Sequence, residues 1–282
     1  MHVHTRISDG SLTIEDTLRL AKSRGITHIS ITDHDTMQGI NQAVSEGEKM
    51  GIKVIPGIEI SAYDFRLDKR VHILGYYIKP GVDLDRICNE LAASRTQASC
   101  AMVQLLMDAG YDITWEEITA YADGGTGVYK QHIMHALMDK GYCDGIYSEL
   151  YYRLFKRGKD RNTRGVAFVP MDYVDVKHAI GAVRSAGGVP VLAHPGQLDV
   201  YEAINYMVDY GLAGIEAYHP SHNLNDIAKS RFYADKYDLF ITGGSDFHGI
   251  YGELDAPLGC PQIHAECVDQ IQARANQKPR SA

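Results

Sequence analysis

Two histidines one residue apart, His2 and His4, stand near the start of the chain, and Asp9 follows them in a Ser-Asp-Gly corner. Further ionisable residues close apolar, strand-like runs. Asp33 and His34 follow THISIT, Glu59 lies in KVIPGIEIS, His194 follows VPVLA, Asp246 and His248 follow LFITGGS, and His72 sits inside KRVHILGYYI. Residues i and i+2 of a strand share a face, so His2 and His4 can grip one ion while Val3 points the other way. Gathering carboxylates and imidazoles in one buried place is costly unless a counterion joins them. A multivalent cation supplies that charge, and mixed nitrogen and oxygen donors suit zinc, manganese or ferrous iron better than calcium or magnesium. Six histidines and three acids are too many for one ion. Two or three divalent metals are expected, with Glu59 as a bridge because a carboxylate can bind one ion through each oxygen.

Taken singly, each residue has a plainer explanation. Asp33 to Asp35 could be a solvated turn, Glu59 a strand end, His28 a packed strand residue, His178 a helix-face residue and His264 a tail residue. Their recurrence at five or six strand ends is what favours a metal site. Other chemistries find no support: the glycines of GGSD precede no Lys-Ser/Thr helix of a phosphate-cradling loop, and no G-x-S-x-G nucleophile elbow occurs.

The elements that must position these groups alternate in type. Helical stretches SLTIEDTLRLAKSRG and TMQGINQAVSEGEKMG separate the early strands. Ser11 or Thr13 can cap the first, and Gly25 and Gly51 can close them. From residue 83 to 169 the sequence turns helical, Tyr-rich and locally basic, and the strand-and-helix rhythm resumes after YVDVKHAIGAVRSAGG. The expected architecture is an α/β fold: a parallel (β/α) barrel from 1–82 and 170–270, a helical insertion over 83–169, and a frayed tail over 271–282. In a parallel barrel the strand ends converge on one mouth, which would bring the ionisable groups together.

Composition sets the outer bounds. With 45% hydrophobic and 23% charged residues the chain can bury a sizeable core, and a formal charge of −8 argues against a surface that coats nucleic acid. Five cysteines at no metal-like spacing suggest reduced thiols, and no apolar run approaches the length of a membrane span. A soluble, cytoplasmic protein with no membrane and no protein partner is expected.

HVHTRISDG, ITDHDT, GIEIS, HILGY, AHPG and SDFHG, in this order, resemble the PHP (polymerase and histidinol phosphatase) family, and most closely its subgroup acting on nucleotide 3′,5′-bisphosphates and short RNA. The resemblance implies a distorted (β/α)7 barrel binding up to three metals, commonly manganese, iron or zinc. Carried onto matching positions, it places His2, His4, Glu59 and Asp246 on a first metal and Glu59, His72 and His194 on a second. Asp9, His34 and His248 fall on a third. Asp33 and Asp35 then orient ligands or loops. Two departures stand out. Only Met1 precedes the histidine pair, so either the first strand is two or three residues long or the true start lies upstream. Gln197 stands where similar sequences often carry an arginine.

The implied activity is hydrolysis of a phosphate ester by a metal-activated hydroxide, with Asp9, His34, Glu59, His194, Asp246 and His248 at the reacting centre. Phosphorylated nucleotides, other phosphorylated small molecules or short single-stranded RNA are the expected substrates. His219 or His222 could protonate the leaving group. The insertion should cover the mouth as a lid, with Lys130, Lys156, Arg157, Lys159, Arg161 and Arg164 as candidate grips for a second phosphate and Tyr129, Tyr151 and Tyr152 as base-stacking candidates. Lys130, His132, Lys159 and His222 are the named substrate contacts. The competing expectations are a histidinol-phosphate-type phosphatase, a metal-dependent amidohydrolase, and a metal-binding module without turnover.

Overall fold

The computed structural model describes residues 1–159, 162–261, 263 and 265–276, so Arg161 and His264 lie outside the described residues. The chain begins with α1 (Ile14–Ser23), β1 (His28–Ile31), α2 (Ile40–Met50), β2 (Lys53–Asp64) and β3 (Lys69–Tyr76). Of the two candidate caps for α1, Thr13 serves: its side chain accepts the Asp16 N–H, and Glu15 and Asp16 lie at the positive end of the helix. Gly25 and Gly51, both at positive φ, turn the chain out of α1 and α2.

The insertion supplies α3 (Val82–Asp108), α4 (Trp115–Tyr121), α5 (Lys130–Asp139) and α6 (Glu149–Phe155). The rhythm resumes with β4 (Val174–Asp175), α7 (Val176–Ser185), β5 (Val189–Leu192), α8 (Pro195–Leu198), α9 (Ile204–Tyr210), β6 (Gly214–Tyr218), α10 (Leu224–Tyr237), β7 (Phe240–Gly243) and α11 (Ala265–Asn276). Among the described residues no helix is long and apolar enough to cross a membrane.

The strands form one curled sheet in the order β1-β2-β3-β5-β6-β7, with β4 added beside β2. Its two edges meet through the amino terminus. His4 N–H donates to Phe247 O at 2.9 Å, and Thr32 N–H donates to Val3 O at 2.8 Å, so the first strand is a single bridging residue. The sheet is not all parallel, contrary to expectation: β3 runs antiparallel to both β2 and β5. Only residues 65–68 separate β2 from β3, and a link that short makes a hairpin, whereas a parallel crossover needs a dozen residues or more. A second difference follows. β2 extends to Asp64, so Glu59 lies within a long strand and not at its end.

Alternation along the strands divides the core. Ile58, Ile60, Val71 and Ile73 face helices on the outside, packing with Ile180, Val183, Ile204 and Met207. The opposite faces turn inward, where Ile55, Leu74, Tyr76, Val189, Val191 and Phe240 form an apolar plug. Glu59 shares a strand face with Ile55, and His72 with Leu74, which places both polar groups inside the curl above that plug.

The expected boundary at residue 83 falls at the start of α3, whose first turns still belong to the barrel. Leu84, Ile87 and Leu91 of α3 pack in the barrel's outer core, while Met102, Val103 and Leu106 join Ile133, Met134, Leu137 and Leu150 in the insertion's own core. A 27-residue helix can serve both because it is about 40 Å long at a rise of about 1.5 Å per residue. At the other end, residues 271–276 continue α11, and fully buried Ile271 belongs to the inner apolar cluster, so this part of the expected tail is anchored by burial.

Candidate metal centre

Local structure aims the ligand candidates inward. His2 and His4 flank the bridging Val3 and are fully buried. Close approach here requires glycine: a Cβ on Gly244 would lie 2.3 Å from His2 Cβ, and one on Gly10 2.5 Å from His4 O. Gly244 of GGSD and Gly10 of the Ser-Asp-Gly corner therefore make room for His2 and His4 respectively. His194 and Asp246 follow β5 and β7 at φ 26° and 47°, a left-handed region that costs a non-glycine residue about 1–3 kcal/mol. Strain of this kind is kept where the surroundings fix a side chain's direction.

The donors converge. His2 Nε2 lies 3.0 Å from Glu59 Oε2 and 3.3 Å from Asp246 Oδ1, and His4 Nε2 lies 3.1 Å from both oxygens. Ligands about 2.1 Å from a common metal stand roughly 3.0–3.4 Å from one another, which is this spacing. Glu59 turns its other oxygen elsewhere: Oε1 is 2.9 Å from His72 Nδ1 and 3.1 Å from His194 Nε2. Asp9 makes a third focus, with Oδ1 3.4 Å from His248 Nε2 and 3.5 Å from His4 Nδ1, and Oδ2 4.0 Å from His34 Nε2. His34 Nδ1 also lies 3.4 Å from Glu59 Oε2. All nine expected ligands are thus brought together.

Charge and satisfaction both suit a cation. Among the described residues, His2 Nε2, His4 Nε2, His34 Nδ1, His194 Nδ1 and Asp246 Oδ1 are buried without a hydrogen bond, a state natural proteins rarely leave uncompensated. Burial lowers the His2 imidazole, yet Glu59, Glu216 and Asp246 hold it well above its ordinary value, and His4 is raised to about 10 against burial by Asp246 and Glu59. Burial raises Asp9, Glu59 and Asp246, but the facing histidines hold all three well below the usual carboxylate range. His34 is the exception: burial pushes it down to about 4 despite Glu59 and Asp9.

Supporting residues orient this set. Asp33 accepts hydrogen bonds from Thr5 N, Thr5 Oγ1 and Ser8 Oγ, each at 2.7 Å, and so shapes the loop that carries His4 and Asp9. Asp35 accepts from Ser61 N at 2.7 Å and from Arg95. Both act as the sequence suggests. His248 Nδ1 faces its neighbour's carbonyl, Asp246 O, at 2.8 Å, which leaves Nε2 for Asp9.

A cavity of about 720 Å³ opens over the ligands, with Arg70, Lys130, Gln131, Tyr147, Tyr151, Phe155, Lys156 and Gln197 on its walls. The insertion therefore forms part of the mouth, and Lys130, one of the expected substrate contacts, lies on its wall. Three other expected contacts, His132, His222 and Lys159, do not line it. His132 is buried, its Nδ1 accepting the Tyr129 N–H at 3.0 Å as part of the start of α5. His222 Nε2 accepts the Gly196 N–H at 3.1 Å and its Nδ1 donates to Ala217 O at 2.9 Å, so both ring nitrogens serve the loop. Lys159 sits on an exposed turn whose N–H donates to Thr163 Oγ1. Tyr151 packs edge-on to Tyr152 and tilted on Tyr147 and Phe155, and Tyr129 lies under Arg95 at 4.3 Å.

The structure also adds residues. Gln131 Nε2 donates to Asp9 Oδ2 at 3.1 Å, and Arg70 stands two residues before His72 on the same strand face. Glu216 contacts His2, while His219, already a candidate from the sequence, lies with Nε2 3.3 Å from Asp246 Oδ2. One signal for Glu216 was present: the tripeptide GIE at 57–59 recurs at 214–216.

A curled α/β sheet with a buried imidazole and carboxylate cluster at its mouth defines a metal-dependent phosphoesterase, and residues 1–158 match the PHP domain, so the chain belongs to the PHP family. It is 41% identical over 255 residues to the phosphoribosyl 1,2-cyclic phosphate 1,2-diphosphodiesterase of Eggerthella lenta, a match covering 90% of this chain and 95% of that protein. It is 28% identical to the 3′,5′-nucleoside bisphosphate phosphatase of Chromobacterium violaceum, over 88% of this chain and 86% of that one. A solved structure from Bifidobacterium adolescentis, assigned as a metal-dependent phosphoesterase, superposes with a TM-score of 0.87 at 28% identity, over 97% of this chain and 94% of that one.

Proposed function

We propose that the chain hydrolyses a phosphate ester on a ribose that bears a second phosphate, with phosphoribosyl 1,2-cyclic phosphate as the leading substrate. The observation that carries this reading is that two charge sets line one cavity: the carboxylates and imidazoles of the metal centre, and the cations Arg70, Lys130 and Lys156. One phosphate binds at each.

His2, His4, Glu59 and Asp246 would hold one divalent metal, Glu59, His72 and His194 a second, and Asp9, His34 and His248 a third; manganese, iron and zinc all suit these donors. Metals bound there supply charge to the phosphoryl oxygens and a nucleophilic water at neutral pH. The chain's own part is geometric. Glu59 presents one oxygen to each of two ligand groups, Gln131 steadies Asp9, and the insertion walls narrow access to solvent. Lys130 takes the non-reacting phosphate as a charge-assisted hydrogen-bond donor. His219, buried beside Asp246 with both ring nitrogens engaged, steadies that carboxylate.

The favoured substrate has no base. Tyr147 and Tyr151 stand with ring centres 4.8 Å apart at 52° and pack on each other, not as a parallel platform. The nucleotide reading is kept as the competitor because of the bisphosphate phosphatase relative. Phosphate release from phosphoribosyl 1,2-cyclic phosphate, where one water opens the ring to a monoester and a second frees the phosphate, and from adenosine 3′,5′-bisphosphate, with manganese added, separates the two. Faster turnover of the cyclic ester, abolished by His34→Ala in a folded protein, is expected. Equal rates for wild type and H34A, or release from neither compound, would reject the assignment.

A further inference from the structure

Glu216 lies on β6, outside every motif that contributes a ligand, and is fully buried. Its carboxylate meets two ligand residues drawn from distant parts of the chain. Both oxygens stand 3.1 Å from His2 Nδ1, and Oε2 accepts the backbone N–H of His194 at 3.0 Å. We propose that Glu216 is the positioning residue of the metal centre: it holds the ring proton of His2 on Nδ1, which leaves Nε2 bare toward the metal, and it fixes the His194 backbone. This inference rests on the metal-centre assignment above.

The reasoning starts from the imidazole. A neutral ring carries one N–H and one lone pair, so a histidine that ligates through Nε2 must keep its proton on Nδ1. His2 Nε2 faces two carboxylate oxygens, Glu59 Oε2 and Asp246 Oδ1, at 3.0 and 3.3 Å. Both are acceptors. Without a competing acceptor at Nδ1, the proton would settle on Nε2 between them, and the ligand atom would be lost. Glu216 is that competing acceptor.

The second contact acts on strain. His194 sits at φ 26° and ψ 58°, and a non-glycine residue there needs its surroundings to hold it. The Glu216 oxygen anchors its N–H from one side, while the preceding residue's N–H, Ala193, is anchored to His72 O at 3.0 Å. One carboxylate thus aligns a ligand of the first proposed metal and a ligand of the second. His2, Glu216 and His219 also lie close enough to resemble a further cation site. His219, however, already engages Ser221 Oγ through Nδ1 at 2.7 Å and faces Asp246 through Nε2, so the trio is a buttress for the centre and not a separate site.

Glu216→Gln tests this in the full chain. The glutamine keeps the shape and can still accept from His194, but one of the two acceptors facing His2 Nδ1 becomes an amide N–H, which opposes a ring proton there. Zinc affinity, titrated with zinc alone after chelator treatment, is expected to fall about 10- to 100-fold. Long-range proton–nitrogen spectra of histidine-labelled, zinc-loaded protein should show the Nδ1–H form of His2 in wild type and lose it in E216Q. Should E216Q not fold, Glu216→Asp, which keeps an accept-only group, takes its place and should retain the Nδ1–H signal with weaker zinc binding. A lower melting temperature with wild-type zinc affinity and an unchanged His2 signal would overturn the proposal and leave Glu216 a packing residue. Failure of the wild type itself to bind zinc would overturn the metal-centre assignment along with it.

Discussion

Asp35 shows how much a single side chain can carry at this centre. It follows His34, stands at φ 56°, and is buried with its carboxylate against Arg95, which also reaches Ser61 Oγ at 3.3 Å. Arg95 comes from α3, so this ion pair ties the insertion's longest helix to the loop bearing His34. Removing one partner of a buried pair leaves the other uncompensated, at a cost of about 3–5 kcal/mol. Arg95→Met should therefore lower the thermal midpoint markedly and reduce turnover by displacing His34. A Lys at this position keeps charge but not the forked geometry, and intermediate stability is expected. Denaturation curves of both variants, with phosphate release measured on the folded fraction, check the ordering.

At the scale of elements, α5 is the informative case. Its first residue is Lys130, a cation placed at the positive end of a helix dipole, an arrangement that adds nothing to helix stability. Burial pushes its ammonium down to about 8, with Arg70 and Arg95 adding to the effect. The lysine is charged below that value and neutral above it. KM for a substrate with a second phosphate should thus stay flat below about pH 8 and rise as pH climbs through it. Lys130→Arg should remove the rise, because a guanidinium keeps its proton throughout. A KM profile unchanged between the two proteins would exclude Lys130 from substrate binding. The β2–β3 hairpin is the other decisive element: by reversing β3 it brings both Arg70 and His72 onto the inner face of the curl.

For the molecule as a whole, a metal bound at the proposed centre would reinforce the closure of the sheet. The proposed ligands come from the amino-terminal bridge and the loop after it, from the end of β1, from β2 and β3, and from the ends of β5 and β7, so a bound cation would link segments that otherwise meet through few hydrogen bonds. A ligand that binds only the folded state stabilises it by about 2.7 kcal/mol at 100 times its dissociation constant. Chelation should abolish phosphate release and lower the melting temperature by several degrees, and manganese or zinc should restore both. The same treatment applied to Glu59→Gln should shift the midpoint far less, since the bridging carboxylate is already gone. A melting temperature indifferent to chelator in wild type would contradict the role given to the cluster.

The sequence determined what is local. Alternation placed His2 and His4 on one face, Thr13 and two glycines bounded α1 and α2, and the apolar runs ending in histidine or aspartate marked side chains that converge at the mouth. These signals span a few residues, within reach of strand pleat and helix capping. Tertiary structure decided the rest. It reversed β3, put Glu59 inside a strand, drew α3 into two cores, turned His132 and His222 to backbone duties and brought Glu216 to His2 across 214 positions. Such meetings depend on register and crossover between distant segments, and a lone carboxylate on an apolar strand acquires its partner only when the sheet curls shut.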